Sequence, residues 1–204
     1  MMTIELFVSA DAMSTDRRTA LAERVLWEVT TEDSAPDSVM DKARELTHVI
    51  VRTPEVWVTG GPKPAAAPRY LVRVTVPGSW SNNSEFGSHI IPMITRAIAA
   101  TEPDADRLFR EPHCLVQIVG LREHAIGNLG RAMTGTEITK LMTEDYRHDA
   151  EQSAAPDGYT IDPVCGMTVE LATTKLTLTH EGVDYAFCAP VCRKVFAEEH
   201  VIPT

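Results

Sequence analysis

Apolar positions along the first half of the chain recur with two periods, and the change of period marks the elements. Residues 4–8 predict a strand, with Glu5 on the opposite face from Ile4. Residues 15–30 predict a helix, because Leu21, Ala22, Val25, Leu26 and Val29 fall on one stripe and Ser14 or Thr15 can cap it. An acidic, proline-broken connection over residues 31–36 precedes a second short helix over 37–46 and a buried strand over 48–51. Residues 55–61 end in a glycine turn. Residues 62–68 hold three prolines and three alanines, which favour neither helix nor paired strand, and they read as a linker.

The same order then recurs. Residues 70–76 predict a strand with partial alternation, 79–84 a loop, and 85–100 a helix with Phe86, Ile90, Ile94, Ala97 and Ile98 as its stripe. Asn82 and Glu85 form a cap-like pair, and Pro92 predicts a kink. Residues 114–119 predict another buried strand, and Gly127, Gly130 and Gly135 mark turns. Strand, helix, strand and glycine turn, repeated at an offset of about 67 residues, make a duplicated β-α-β unit whose halves can share one sheet. A helix over 136–146 follows, with Ile138, Leu141 and Met142 on its apolar side. Residues 149–158 have the composition of a tether. The fold class is α+β, with a two-repeat domain over 1–142, a helix end and linker over 143–158, and a small module over 159–204.

That module carries three of the four cysteines. Cys188 and Cys192 are four apart, which places them on one helical face, and Pro190 suits a first turn. Cys188 is expected at the helix start and Cys192 one turn in, where the positive end of the helix dipole favours the thiolate. Gly166 can take a left-handed conformation that lets backbone amides wrap the sulfur of Cys165. Buried, inert thiols are the plain alternative, although three cysteines at ligand-like spacing are rarely all packing. A disulfide fits poorly, since Cys188 and Cys192 are a bad bridging pair and three cysteines leave one over.

These residues resemble a known family. The run from Asp162 to Met167 (Asp-Pro-Val-Cys-Gly-Met), with Gly182, Tyr185, Phe187, Cys188, Cys192, Phe196 and Pro203, is similar to a YHS domain, of the group also called TRASH-like metal-binding domains. The resemblance implies a compact hairpin-plus-helix module, often attached to heavy-metal transporters, regulators or oxygenases, whose thiolates hold copper, zinc or another soft metal. Cys165, Cys188 and Cys192 are then the ligands of Cu(I) or Zn(II). Zinc wants a fourth ligand, for which His180, His200 and Asp162 are candidates, while Met167 is a possible thioether addition for Cu(I).

The first half resembles a second family. Its early strand, its helix after Ser-Thr, and Trp57 leading to Gly60-Gly61 look like the tautomerase superfamily, of the 4-oxalocrotonate tautomerase and macrophage migration inhibitory factor type. The resemblance implies a homotrimer of β-α-β pairs and proton transfer by an N-terminal proline. Here Thr3 stands behind two methionines where that proline belongs, and the second copy offers Arg69 or Tyr70. An extended, flexible primary amine at Met1 cannot reach the same pocket, so no turnover of phenylpyruvate or 2-hydroxymuconate is expected. Arg17, Arg52 and Arg73 are candidate substrate-binding arginines, but none aligns with such a site and each reads more readily as solvated surface. Cys114, beside His113, reads as a buried small residue; His89 and His124 read as structural or exposed, and Trp27 as core or interface.

The chain has 204 residues and a formal charge of −10, with no basic patch, which argues against a nucleic-acid partner. No apolar run is long enough to span a membrane. The N-terminus lacks a targeting pattern, so a reducing cytoplasm is expected, where clustered cysteines are metal ligands or redox groups. Two functions remain open. One is soft-metal sensing, storage or delivery, with a transporter or oxygenase as partner; the other is an isomerase-type proton-transfer enzyme regulated by the metal module.

Overall fold

In a computed structural model of the chain, residues 1–9, 13–60, 67–148 and 155–203 are described. Strand β1 (Met2–Val8) leads through α1 (Thr15–Val29) and α2 (Asp37–Glu45) to β2 (Thr47–Arg52). The second repeat is β3 (Tyr70–Pro77), α3 (Gly78–Ser81), α4 (Ser84–Ala99), α5 (Arg107–Arg110) and β4 (Cys114–Leu121). A hairpin of β5 (Ile126–Asn128) and β6 (Arg131–Met133) follows, then helices α6 (Gly135–Met142) and α7 (Glu144–His148). The module comprises β7 (Tyr159–Ile161), β8 (Thr168–Glu170), β9 (Thr177–His180), β10 (Val183–Ala186) and α8 (Pro190–Glu199).

One sheet with the order β2-β1-β3-β4 joins the repeats. β1 and β3 run antiparallel at its centre, with Ile4 opposite Val74, and each pairs in parallel with its own repeat's second strand. The duplicated β-α-β unit is therefore present as a single sheet. Even-numbered residues of β1 and β3 are buried, and Ile4, Leu6, Val8, Val72, Val74 and Val76 are fully so. They meet Leu21 and Val25 of α1 and Ile90, Ile94 and Ile98 of α4, the residues of the two predicted stripes. Both helices cover one face. The other face leaves Ile50, Leu115 and Val119 exposed, and β2 and β4 are its edges.

Several local expectations are corrected. The segment after β3 is not all loop: it forms α3, whose last turn uses the N–H of Asn82 to reach Gly78 O, so Asn83 caps α4 instead. Asn83 accepts from the N–H of Glu85 at 3.1 Å. Helix α4 runs through Pro92 as one element. The carbonyl that Pro92 leaves unpaired belongs to Ser88, an exposed residue whose carbonyl water can satisfy. Of the three glycines read as turns, Gly130 turns with φ +74°, but Gly127 lies inside β5 and Gly135 opens α6. The helix expected over 136–146 is two, divided at Thr143. Trp27 is not in the core: it is 59% exposed, with the Arg44 guanidinium 4.3 Å over its ring.

The module is two hairpins and a helix, and it rests against the sheet domain. Thr168 N–H donates to Ser34 O at 2.9 Å, Lys140 pairs with Glu198 at 3.3 Å, and Arg147 pairs with Glu199. Trp80 and Phe86 face Ala189, Pro190 and Val191 across a small apolar cavity of about 150 Å³. Most of the expected linker at 62–68 and of the tether at 149–158 lies outside the described residues.

Candidate metal centre

Three local devices bring the cysteines together. The first is a tight loop in which Gly166 N–H donates to Asp162 O at 2.8 Å and Asp162 N–H to Met167 O at 2.9 Å. It turns at Gly166, with φ +74°, so Cys165 points inward and is 5% exposed. The second is the exit from β10, where Phe187 N–H donates to Leu176 O at 2.8 Å and its ring is buried under Phe196, leaving Cys188 half-buried. The third is the first turn of α8. Ala189 is its N-cap, Pro190 its first residue and Cys192 its third, so Cys188 lies just outside the helix and not at its start.

The sulfurs converge. Cys165 Sγ and Cys188 Sγ are 3.4 Å apart, and Cys188 Sγ and Cys192 Sγ are 3.7 Å apart, with no disulfide among them. A tetrahedral ion with metal–sulfur bonds of about 2.3 Å sets its sulfurs about 3.8 Å apart. The spacing is thus close to that of a ligand set. Asp162 completes a group whose four donor atoms all lie within 4.8 Å of one another, and these side chains can hold a metal ion. No other such cluster occurs among the described residues.

Asp162 is completely buried and holds two loops at once. Its Oδ1 accepts from Val164 N–H at 2.9 Å and its Oδ2 from Cys188 N–H at 2.8 Å. Burial raises its pKa to about 7, and the charge on Cys165 adds to this, while the two amide hydrogen bonds oppose it. The thiols share one ready negative charge. Hydrogen bonds from Cys188 and then Cys192 hold Cys165 well below the usual thiol range, and the same bonds leave Cys188 and Cys192 well above it.

Of the three carboxylate or imidazole side chains weighed as a fourth ligand, the fold brings only Asp162 into this group. His180 and His200 pack against each other and against Phe196, His180 edge-on, their ring centroids 6.1 and 4.2 Å from that of Phe196. Met167 supplies its backbone amide to the Cys165 sulfur, and its side chain packs in the small core. What the sequence did not signal is the cover. Pro36 of the sheet domain and Tyr146 of α7 close over Gly166, each with an atom 2.5 Å from where a Cβ would stand, and the Tyr146 hydroxyl is buried with no partner among the described residues.

The sheet domain's candidates do not converge comparably. Arg52 and Arg73 flank Glu5 on the open face of the sheet, each at 3.9 Å, and Arg17 is exposed on α1. The Met1 amine is not extended: it lies 3.2 Å from Met142 Sδ, and burial lowers its pKa to about 5. Cys114 packs against the main core and belongs to no ligand group found among the described residues. His89 and His124 are exposed. One buried network escaped the sequence reading: Arg107 pairs with Glu102 at 2.7 Å, Glu102 accepts from Tyr70, and the guanidinium also reaches Pro68 O and His113.

No family model matches the chain. A copper-transporting P-type ATPase of Rhizobium leguminosarum bv. viciae is 46% identical over 50 residues, which are 24% of this chain; the match spans 6% of that relative's length. Three solved structures align with most of the chain. A fused 4-OT symmetric trimer has 15% identity and a TM-score of 0.44, covering 65% of this chain and 94% of its own. A member of the cis-3-chloroacrylic acid dehalogenase family has 17% identity and a TM-score of 0.45, covering 74% and 93%. A macrophage migration inhibitory factor homologue from Prochlorococcus marinus has 13% identity and a TM-score of 0.45, covering 64% and 98%. Among the described residues, no helix is long and apolar enough to cross a membrane.

Proposed function

We propose that this protein binds one soft metal ion per chain through Cys165, Cys188 and Cys192, for sensing, storage or delivery. The observation that carries the reading is the convergence of three sulfurs and one buried carboxylate within 4.8 Å. The donor chemistry fits the ion: thiolates select Cu(I) and zinc, and hard cations prefer oxygen. Copper is the leading candidate. Three sulfurs satisfy Cu(I), and the partial relative is a copper transporter. Zinc is the second candidate, with Asp162 as its fourth ligand. The chain's own residues set the rest: the Asp162 carboxylate orients Cys188, and the small core around Phe196 keeps water from two of the three sulfurs.

The reading treats residues 159–204 as a YHS-like metal module, 143–158 as its connection, and 1–142 as a tautomerase-like scaffold that carries it rather than a catalyst. A homotrimer is the assembly that suits this scaffold, because it can cover the exposed Ile50, Leu115 and Val119 on the open sheet face and the edges β2 and β4. A metal transporter or an oxygenase is the kind of partner such a module serves. The test is metal analysis of protein purified under reducing conditions, with Cys188→Ser beside it. One equivalent in the wild type and a large loss in the variant is the expected result; equal content defeats the assignment.

A further inference from the structure

The metal cluster has one open side. Cys165 and Cys192 are 5% and 4% exposed, but Cys188 is half-buried and lies in the wall of a cavity of about 630 Å³ between the module and the start of α4. That volume is within the range of small-molecule sites, and no folded domain could enter it. Its wall is apolar at Val169, Leu176, Phe187 and Pro190 and carries charges of both signs. Glu85 and Asn83 come from the sheet domain; Glu170, Thr173 and Lys175 come from the module. Neither half of the chain makes the cavity alone.

Resting on the metal-site reading, we propose that this cavity is a docking chamber for a small zwitterionic aminothiol that carries the metal, and that Cys188 is the ligand through which the metal is exchanged. Glu85 and Glu170 suit the carrier's ammonium group, Lys175 suits its carboxylate, and the carrier's sulfur faces Cys188. The step is a ligand substitution without change of oxidation state. The bond from metal to Cys188 sulfur forms, the bond from metal to carrier sulfur breaks, and the proton leaving Cys188 goes to the departing thiolate. Cys165 and Cys192 then close the set from inside, each proton they lose passing to a further departing carrier thiolate or to solvent.

The experiment uses the full chain, reduced and without oxygen, mixed with the Cu(I) complex of cysteine in a stopped-flow instrument and followed by near-ultraviolet thiolate-to-copper absorbance. Thr173→Trp and Glu85→Trp fill the cavity from opposite sides at exposed positions, so the fold is spared. Each is expected to slow loading at least tenfold while equilibrium affinity stays within twofold. Glu85→Gln with Glu170→Gln is expected to remove a preference for the cysteine complex over that of mercaptosuccinate, which has no ammonium group. Unchanged loading rates in both tryptophan variants overturn the chamber. Equal rates from the two carriers in the wild type overturn the aminothiol. A wild type that takes up no copper at equilibrium defeats instead the underlying metal-site reading.

Discussion

The carboxylate of Asp162, completely buried, accepts the backbone N–H of Cys188 at 2.8 Å, tying the loop that carries the first cysteine to the segment that carries the second. Across 26 residues of sequence this one bond sets the distance between two sulfurs. Asp162→Asn must turn an amide N–H₂ toward either Cys188 N–H or Val164 N–H, leaving a buried donor unpaired. The expected loss is about 1–3 kcal/mol of stability in urea unfolding of the metal-free protein.

The same variant separates the two candidate metals. If Asp162 is a ligand it matters to zinc, so Asp162→Asn should lower zinc affinity by at least about tenfold and leave Cu(I) affinity nearly unchanged. Competition titrations with chromophoric chelators read both. An equal loss for the two ions would mean that the carboxylate acts only by holding Cys188.

Gly166→Ala is expected to weaken the seat of the module on the sheet domain. The residue sits at φ +74°, and a Cβ would stand 2.5 Å from Pro36 and from the Tyr146 ring. The expected cost is about 2 kcal/mol or more, from left-handed strain and the displaced ring together. Tyr146→Ala in the Gly166→Ala background should recover part of it, although Tyr146→Ala alone destabilises. Strictly additive free energies in the double-mutant cycle would show that the ring is not what the methyl group meets.

Cys114 should be a slow thiol. Burial raises its pKa to about 11, outweighing a hydrogen bond with Thr95, whereas in the unfolded chain it ionises near about 8.5. The folded state therefore holds an extra proton between these values, so this group makes stability fall as pH rises through that window and adds nothing below it. At pH 8 its alkylation by iodoacetamide should be on the order of a hundredfold slower than that of a free thiol, read by mass spectrometry. Labelling of Cys114 at the free-thiol rate in folded protein would refute its burial.

Leu115→Glu should leave the fold intact and break the assembly. Leu115 is 56% exposed on the sheet face away from the helices, so a charge there costs the single chain little and an interface much. Light scattering is expected to give three times 22.5 kDa for the wild type and 22.5 kDa for the variant. A wild type already at one chain's mass would remove the trimer.

Much of the sheet domain was legible because each element there has a solvent side and a core side. Val72, Val74 and Val76, or Ile90, Ile94 and Ile98, advertise their backbone's period, and the repeat of strand, helix and strand repeats the pattern. Boundaries failed where one residue could serve two neighbours: Asn82 looked like the cap of α4 but its N–H closes α3. Of core or interface, the core half of the Trp27 expectation fails, because a large apolar ring can lie under an arginine at the surface as well as in a core.

The chain's sequence by itself determined that Cys188 and Cys192 lie near one another and that Cys165 sits on a tight turn, since Gly166 and the proline-led first turn of α8 are local devices; the Asp162–Cys188 bond is what brings Cys165 to the pair. The sequence could not decide between Asp162, His180 and His200, because all three are ligand types at comparable distances along the chain. Only the tertiary structure separates them, packing both imidazoles against Phe196 and burying the carboxylate between Val164 and Cys188, within 4.8 Å of the sulfurs. The cover of Tyr146 on Gly166 and the cavity beside Cys188 are likewise products of packing between distant segments. No local period records such a contact, because the residues on its two sides share no backbone geometry until the module meets the sheet domain.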